Sequence, residues 1–498
     1  MKVSTVWKAL LLSLSAGSTV AVGDVGGQPG TIPATFPPFL GGNSPWFPGP
    51  NATGIPYEVP EGCIIDMASI TSRHGSRYPD PAVYKQWLGL QSKIKNASAT
   101  GEGALSFISS WDPTIKNPGQ VLTQLSVGGY KEMYDMGTAY RWRYPDLYTD
   151  NSKPFVLWAN AFFPTSPRVI DSAKLFARGF LGPNATTLGT VYVLNNTDPR
   201  GLANSLGVSD LCPAYNDTMG GSSASKWANT YLPPIVERVN NLTKPKGAVN
   251  FNTTDVAMFP LLCGFESEMT GRRSPWCDVF TEQELQAYEY FQDLRFYYGH
   301  GPGSFKNSTF MLPFLSALVT RFTDGPKKTY KSSDGMTFTP PALIVTFTND
   351  AQINQLVSQI GVFDDEPALP SDNIPQNQRY ISSRYVTMRG TVGFERLTCT
   401  AAGENNNQSA SQFLRIVLND VVYPVVGCDS GPGSSCPLAQ YADLVAQKQT
   451  QAGTFVDACF GANQTAAKAA LAAAGIDGTP KTTFLTDLAV PFAFKVKP

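Results

Sequence analysis

Residues 63–94 read Cys63-Ile-Ile-Asp-Met-Ala-Ser-Ile70, then Thr71-Ser-Arg-His-Gly-Ser-Arg-Tyr-Pro79, then Asp80-Pro81 leading to Val83, Trp87, Leu90 and Ile94. The first run is short and mainly apolar, the mark of a strand buried on both faces. Asp80 reads as a helix cap with Pro81 at the first helical position, and the four apolar residues after it fall at i, i+4, i+7 and i+11 on one face. Two further segments repeat the plan. Phe155-Val-Leu-Trp-Ala159 leads through a turn to Ser166-Pro167 and a helix with Val169, Ala173, Phe176 and Phe180 aligned; Ala342-Leu-Ile-Val-Thr-Phe347 leads through Thr348-Asn349-Asp350 to a helix with Ile353, Leu356, Val357 and Ile360 aligned. Strands that each feed a helix predict an α/β fold, a mixed but mainly parallel sheet covered by helices on both faces. Ligands of such sheets collect beyond the carboxyl ends of the strands, where helix N-termini offer unpaired N–H groups to anions. The three turns therefore belong at one crevice, with Arg73, His74, Arg77, Arg168 and Asp350 as neighbours.

Around this frame the chain divides unevenly. Residues 1–22 read as a signal peptide, with Lys2 and Lys8 before the apolar run Ala9-Leu-Leu-Leu-Ser-Leu14. Residues 23–62 form a Gly/Pro-rich arm expected to lie extended on the surface rather than in the core. The α/β unit spans 63–200 and 326–498, and residues 201–325, with helical stretches such as Thr281-Glu-Gln-Glu-Leu-Gln-Ala-Tyr288, read as an inserted, smaller, mainly α subdomain. Phe413-Leu-Arg-Ile-Val-Leu418, Asn419-Asp420 and Val421-Val-Tyr-Pro424 read as a hairpin.

Charged residues make up 15% of the chain and the net charge is -1, which gives no general attraction to nucleic acid or to an anionic membrane. The apolar segments are too short to span a bilayer. A secreted protein, extracellular or held in a cell wall, is expected. Acceptor sequons at Asn51, Asn96, Asn184, Asn195, Asn216, Asn241, Asn252, Asn307, Asn407 and Asn463 agree with export and N-glycans. So do the eight cysteines, Cys63, Cys212, Cys263, Cys277, Cys399, Cys428, Cys436 and Cys459, which lack CxxC spacing and predict four disulfides of undetermined pairing. With only two histidines they make a poor zinc inventory, and no metal or cofactor is expected.

Cleaving a phosphate ester takes a nucleophile in line with the leaving group, fixed positive charge on the equatorial oxygens, and an acid for the departing alkoxide. Arg73-His74-Gly75-Ser76-Arg77 supplies the first two in one turn. Guanidinium forks bind phosphate oxygens in pairs, and their charge keeps a neighbouring imidazole unprotonated and nucleophilic even in acid. Gly75 is expected to let the backbone bend close to the ligand. Arg168 completes the clamp, and Asp350, opening a helix, is the candidate proton donor, with ordinary helix capping as the competing reading.

This segment is similar to the RHGxRxP signature of the histidine acid phosphatases, the family that includes the fungal phytases. Tyr297-Tyr-Gly299 and Leu414-Arg-Ile-Val-Leu-Asn-Asp420 resemble two further segments of that family. The resemblance implies a phosphoglycerate-mutase-like fold and a phosphohistidine on His74. It also implies Arg73, Arg77 and Arg168 as phosphate ligands, a phosphomonoester substrate with phytate as a candidate, and no metal. It further implies disulfides Cys63–Cys399, Cys212–Cys459, Cys263–Cys277 and Cys428–Cys436. One position departs from the pattern: the usual His-Asp pair is Asn349-Asp350. Asn349 can give phosphate a neutral hydrogen bond, or simply cap the helix, but never carries an imidazolium's charge. The alternative reading is therefore a catalytically weak or inactive secreted phosphate-ester-binding protein.

Three features receive plainer readings. His300, in Gly299-His-Gly-Pro-Gly303, is expected to be structural or at the surface, since no P-loop Lys-Ser/Thr follows. Gly427-Cys-Asp-Ser-Gly-Pro-Gly433 resembles a serine-protease nucleophile segment, but no histidine has triad context and Cys428 more simply closes a loop. Lys85, Lys93, Lys95, Lys327, Lys328 and Lys331 are the cations available to meet a polyphosphate.

Overall fold

The computed structural model describes residues 37–498 apart from 114, 150–152, 162–166, 305–309, 401–409, 462–464 and 474–481. The proposed signal peptide and the sequons at Asn307, Asn407 and Asn463 lie outside the described residues. Strand β1 (Cys63–Arg73) runs through the turn of residues 74–80 into helix α1 (Pro81–Asn96). Next come α2 (Val127–Arg143), β2 (Phe155–Ala161), α3 (Arg168–Leu181) and β3 (Gly189–Asn195). The longer helices α4 (Thr218–Asn241), α5 (Phe259–Thr270), α6 (Glu282–Gly299) and α7 (Leu312–Asp324) precede β4 (Leu343–Thr348) and α8 (Asp350–Val357). The chain closes with β5 (Thr391–Cys399), β6 (Ser411–Leu418), β7 (Val421–Tyr423), α9 (Leu438–Ala452) and β8 (Ala493–Val496).

The strands form one mixed sheet in the order β7-β6-β5-β1-β4-β2-β3-β8, with a short strand Cys436–Pro437 against β6. Its four central strands, β1, β4, β2 and β3, are parallel. Antiparallel strands flank them on both sides. Alternate side chains serve opposite faces: Val156 and Trp158 enter one apolar core, Leu157 and Ala159 the other. The helix faces read from the sequence are buried as expected, including Trp87, Leu90 and Ile94 of α1 and Val169, Ala173, Phe176 and Phe180 of α3. The β6–β7 hairpin turns through Asn419 and Asp420, both at positive φ (41° and 65°). Those are conformations that Asn and Asp adopt more readily than other side chains.

The register fixes the site. Arg73 pairs with Thr348, so His74 and Asn349 leave the sheet side by side, and the His74 N–H donates to the Thr348 carbonyl at 3.2 Å. Four disulfides, Cys63–Cys399, Cys212–Cys459, Cys263–Cys277 and Cys428–Cys436, tie the strands, helices and loops in the pairing the family resemblance implies. Among the described sequons, Asn51, Asn96, Asn184, Asn216, Asn241 and Asn252 are exposed and Asn195 is half-buried. No helix among the described residues is long and apolar enough to cross a membrane.

The N-terminal arm departs from expectation. Leu40 is 0% exposed, and Phe47 and Tyr57 are each 4% exposed. Two of its glycines are there for lack of room: a Cβ on Gly41 would lie 2.6 Å from Gln292, and one on Gly42 would lie 2.9 Å from the Phe296 ring. Residues 37–50 thus form a strap packed against α6 rather than a surface segment, whereas much of 51–62 is exposed as expected.

Candidate active site

The turn after β1 delivers His74 to the carboxyl edge of the sheet, almost wholly buried. Its Nδ1 lies 2.9 Å from the Gly75 carbonyl oxygen, which can only accept, so the ring proton sits on Nδ1 and Nε2 keeps its lone pair. Burial first, then the charges of Arg168, Arg73 and Arg77, hold the imidazole well below its ordinary pKa. The ring therefore stays neutral into the acid range. Gly75 acts differently from the sequence reading. Its φ is not positive, and a Cβ there would meet the Gly129 carbonyl at 2.8 Å and Met133 at 2.9 Å, so glycine permits close packing against α2 rather than a bend toward ligand.

Three arginines surround the imidazole. Arg73 is the most constrained: its guanidinium donates to the Val386 carbonyl at 2.7 Å, to the Gly42 carbonyl of the buried strap, and to Asp350 Oδ2 at 3.1 Å. Arg77 donates to the Tyr78 carbonyl at 2.9 Å and to Asp80 at 3.0 Å, while Phe265 of α5 lies under its guanidinium at 5.4 Å. Asp80 thus stands at the N-cap of α1 but spends its carboxylate on Arg77, with no capping bond. Arg168 is the first residue of α3, and burial together with the Arg77 charge lowers its pKa to about 10. Mutual repulsion among buried guanidinium groups is relieved by an anion, so the cluster is a ready phosphate clamp.

Asp350 opens α8, its Oδ1 accepting the Ala351 N–H at 3.0 Å. Burial acts to raise its pKa, but the charge of Arg73 first, with that of Arg77 and any proton carried by the two neighbouring histidines, outweighs that and holds it below the usual carboxylate range. Asn349 occupies the N-cap position of α8 yet makes no capping hydrogen bond, which removes the plain reading of that residue.

All six candidates therefore converge. Several contributors escaped the sequence reading. Glu132 of α2 accepts the Ser76 N–H and the Ser76 hydroxyl, each at 2.8 Å, and so clamps the nucleophile turn. Gly42 contributes only a carbonyl and left no side-chain signal. His300, expected to be structural or superficial, is largely buried near Asp350: its Nδ1 meets the Tyr215 hydroxyl and its Nε2 lies 3.8 Å from Asp217. The cationic rim shrinks, because Lys93 pairs with Asp255 and Lys327, Lys328 and Lys331 precede β4, at the opposite end of the sheet from His74.

A histidine on a strand–turn–helix corner, ringed by arginines and accompanied by a carboxylate, forms a cationic site suited to a phosphate ester. Residues 64–419 match the model of the histidine phosphatase superfamily, branch 2, and the chain belongs to that family. It is 30% identical over 418 residues to the phytase PHO112 of Candida albicans, covering 82% of this chain and 84% of that one. It is 32% identical over 411 residues to the acid phosphatase PHO1 of Komagataella pastoris, covering 81% and 82%. The crystal structure of the phytase from D. castellii superposes with a TM-score of 0.73 at 25% identity, covering 85% of this chain and 87% of that one. The chain is a phosphoric monoester hydrolase of the histidine acid phosphatase type.

Proposed function

We propose that this protein is a secreted acid phosphatase, with phytate among its candidate substrates, that works through a phosphohistidine on His74. The observation that carries the reading is the tautomer: Nδ1 bonded to Gly75 leaves Nε2 free amid three arginines. The ester phosphate enters the clamp of Arg73, Arg77 and Arg168, with the Asn349 amide as a neutral donor. His74 Nε2 attacks phosphorus, the P–O bond to the alcohol breaks, and Asp350 supplies a proton to the leaving oxygen. In the empty clamp Asp350 is ionised by its cationic neighbours; a bound phosphate anion cancels that charge and raises its proton affinity when an acid is needed. Water then attacks phosphorus as Asp350 takes a proton from it, the P–Nε2 bond breaks to restore the neutral His74, and inorganic phosphate leaves. Export is supported by the four disulfides and the exposed sequons.

Asn349 favours a second reading, a phosphate-ester-binding protein with little turnover. Rapid quenching with labelled phosphomonoester separates the two. The enzyme yields an alkali-stable, acid-labile protein label that His74→Ala abolishes, with turnover below about a hundredth of wild type. Label or turnover surviving in His74→Ala refutes the nucleophile, and an unlabelled, inactive wild type selects the binding protein. Matched kinetics on phytate and simple esters, from about pH 2.5 to about 7, then assign the substrate class.

A further inference from the structure

A second pair of acids lies behind the arginine clamp and takes no part in the steps above. Glu268 sits on α5, 4% exposed, and neither of its carboxylate oxygens has a hydrogen bond of full geometry. One turn earlier on the same face, Phe265 packs under Arg77. Helix α2 closes the space from the other side: a Cβ on Gly128 would meet the Glu268 carbonyl at 2.9 Å, and Glu132 holds Ser76 by two bonds. The charges that act on the Glu268 carboxyl are those of Glu132 from α2 and of Arg73 and Arg77, with the Arg77 backbone N–H as a further partner.

We propose that Glu268 is a positioning residue of the phosphate clamp, a carboxyl whose charge state, set jointly with Glu132, governs how strongly Arg73 and Arg77 attract phosphate. The inference rests on the reading of those arginines as phosphate ligands. Two enclosed carboxyls facing each other do not both ionise readily, and the pair titrates as a unit. Glu132, with two donors from Ser76, is the better holder of the negative charge; Glu268, without such donors, is the better holder of the proton. Burial first and the Glu132 charge second push the Glu268 pKa well up, against the opposing arginines. In acid Glu268 is neutral and the guanidinium field reaches the substrate undiminished. As pH rises and Glu268 ionises, a negative charge appears behind Arg73 and Arg77 and phosphate binding weakens.

Glu268→Gln holds the neutral form at nearly constant volume. The measurement is the competitive inhibition constant of inorganic phosphate, with kcat/KM for p-nitrophenyl phosphate alongside, for wild type and Glu268→Gln from about pH 3 to about 8. Taking the ratio of the two proteins at each pH cancels the ionisation of phosphate and substrate. The expected ratio is smallest in acid and grows with pH until the variant binds phosphate about tenfold more tightly, as removal of a nearby buried charge implies. The alkaline limb of kcat/KM moves up with it. Glu268→Met, neutral and needing no partners, must give the same displacement; it also serves alone if the glutamine form fails to fold. A ratio flat across the range overturns the proposal, as does a displacement seen with Gln but not Met. If phosphate inhibits neither form competitively, the clamp reading itself has failed instead.

Discussion

Replacing Asn349 with histidine restores the residue that the family usually places beside the acid, and the surroundings of Asn349 set the size of the expected gain. Its side chain is half-buried and makes no capping bond, so substitution removes no hydrogen bond from α8. It leaves the sheet beside His74 and precedes Asp350, whose carboxylate is 3.1 Å from Arg73. On the proposed reading of the site, a donor there meets the same phosphoryl group as the arginines. Charge-assisted hydrogen bonds are roughly twice as strong as neutral ones, so an imidazolium in place of the amide adds about 1–2 kcal/mol of transition-state stabilisation. That corresponds to a rate gain of about tenfold. The gain belongs to the protonated ring, so it is full in acid and disappears as pH rises through the pKa of the new histidine; wild type has no such limb. Asp350 stabilises the added charge and the three arginines oppose it, while bound phosphate tips the balance toward protonation. Matched pH–rate profiles of kcat/KM on a simple phosphomonoester decide the matter. An unchanged or lower kcat/KM throughout the acid range, with the fold intact, would refute Asn349 as a phosphate ligand.

Two further predictions concern the scaffold. Glu395 of β5 accepts from Arg415 at 2.8 Å, Arg143 at 3.0 Å and Tyr144 at 2.8 Å, with the side chains of both Glu395 and Arg415 at 0% exposure; Glu395→Gln should therefore cost about 3–5 kcal/mol in urea unfolding, and a loss below about 1 kcal/mol would mean the network is dispensable. On α6, burial raises Asp293 to about 7, and burial with the neighbouring Asp293 charge raises Glu289 to about 8. Both folded values lie above the unfolded ones, so the stability they confer is complete below about pH 4 and is lost toward pH 8, by up to ~1.4 kcal/mol per pH unit for each proton. The double variant Asp293→Asn, Glu289→Gln should flatten that slope in denaturant titrations at about pH 4.5 and about 7.5, and an unaltered slope would clear the pair.

The legible parts of this protein are those in which side-chain chemistry and local periodicity coincide. Arg73, His74 and Arg77 stand in five residues, between a buried strand and a helix whose apolar face recurs at helical spacing. Arg168 and Asp350 were reachable because each opens a helix after a parallel strand, and the neighbouring β1, β4 and β2 then bring them to one edge. Which of Lys327, Lys328 and Lys331 face the site could not be read from sequence, because composition carries no direction: they precede β4, whereas the site follows it. Glu132 and Glu268 are ordinary carboxylates on helices far along the chain from His74, and nothing local distinguishes a helical glutamate under a phosphate clamp from one in solvent. The strap misled for a different reason. Glycine and proline usually mark exposed turns, yet Gly41 and Gly42 mark a backbone pressed so closely on α6 that a methyl group has no space. The carbonyl that Gly42 gives to Arg73 belongs to the main chain, which every residue possesses.

Burial around His74 has a consequence that extends beyond the nucleophile. Desolvation, which helps keep the imidazole neutral, also pushes the pKa values of Glu268, Glu289 and Asp293 up, because it penalises whichever form is charged. In acid these effects agree: the nucleophile is free, the clamp is unopposed, and α6 carries no repelling pair. Toward neutral pH they diverge. His74 gains nothing further, since it is already deprotonated, while each buried carboxyl that ionises subtracts from phosphate attraction or from stability. Glu268 faces the clamp. Asp293 accepts from Ser382 and Gln378, on the segment that continues to Val386, the carbonyl partner of Arg73. On the proposed mechanism, the scaffold and the chemistry therefore both favour acid. Glu268→Gln should widen that range through phosphate binding, and the Asp293/Glu289 variant should widen it through stability alone.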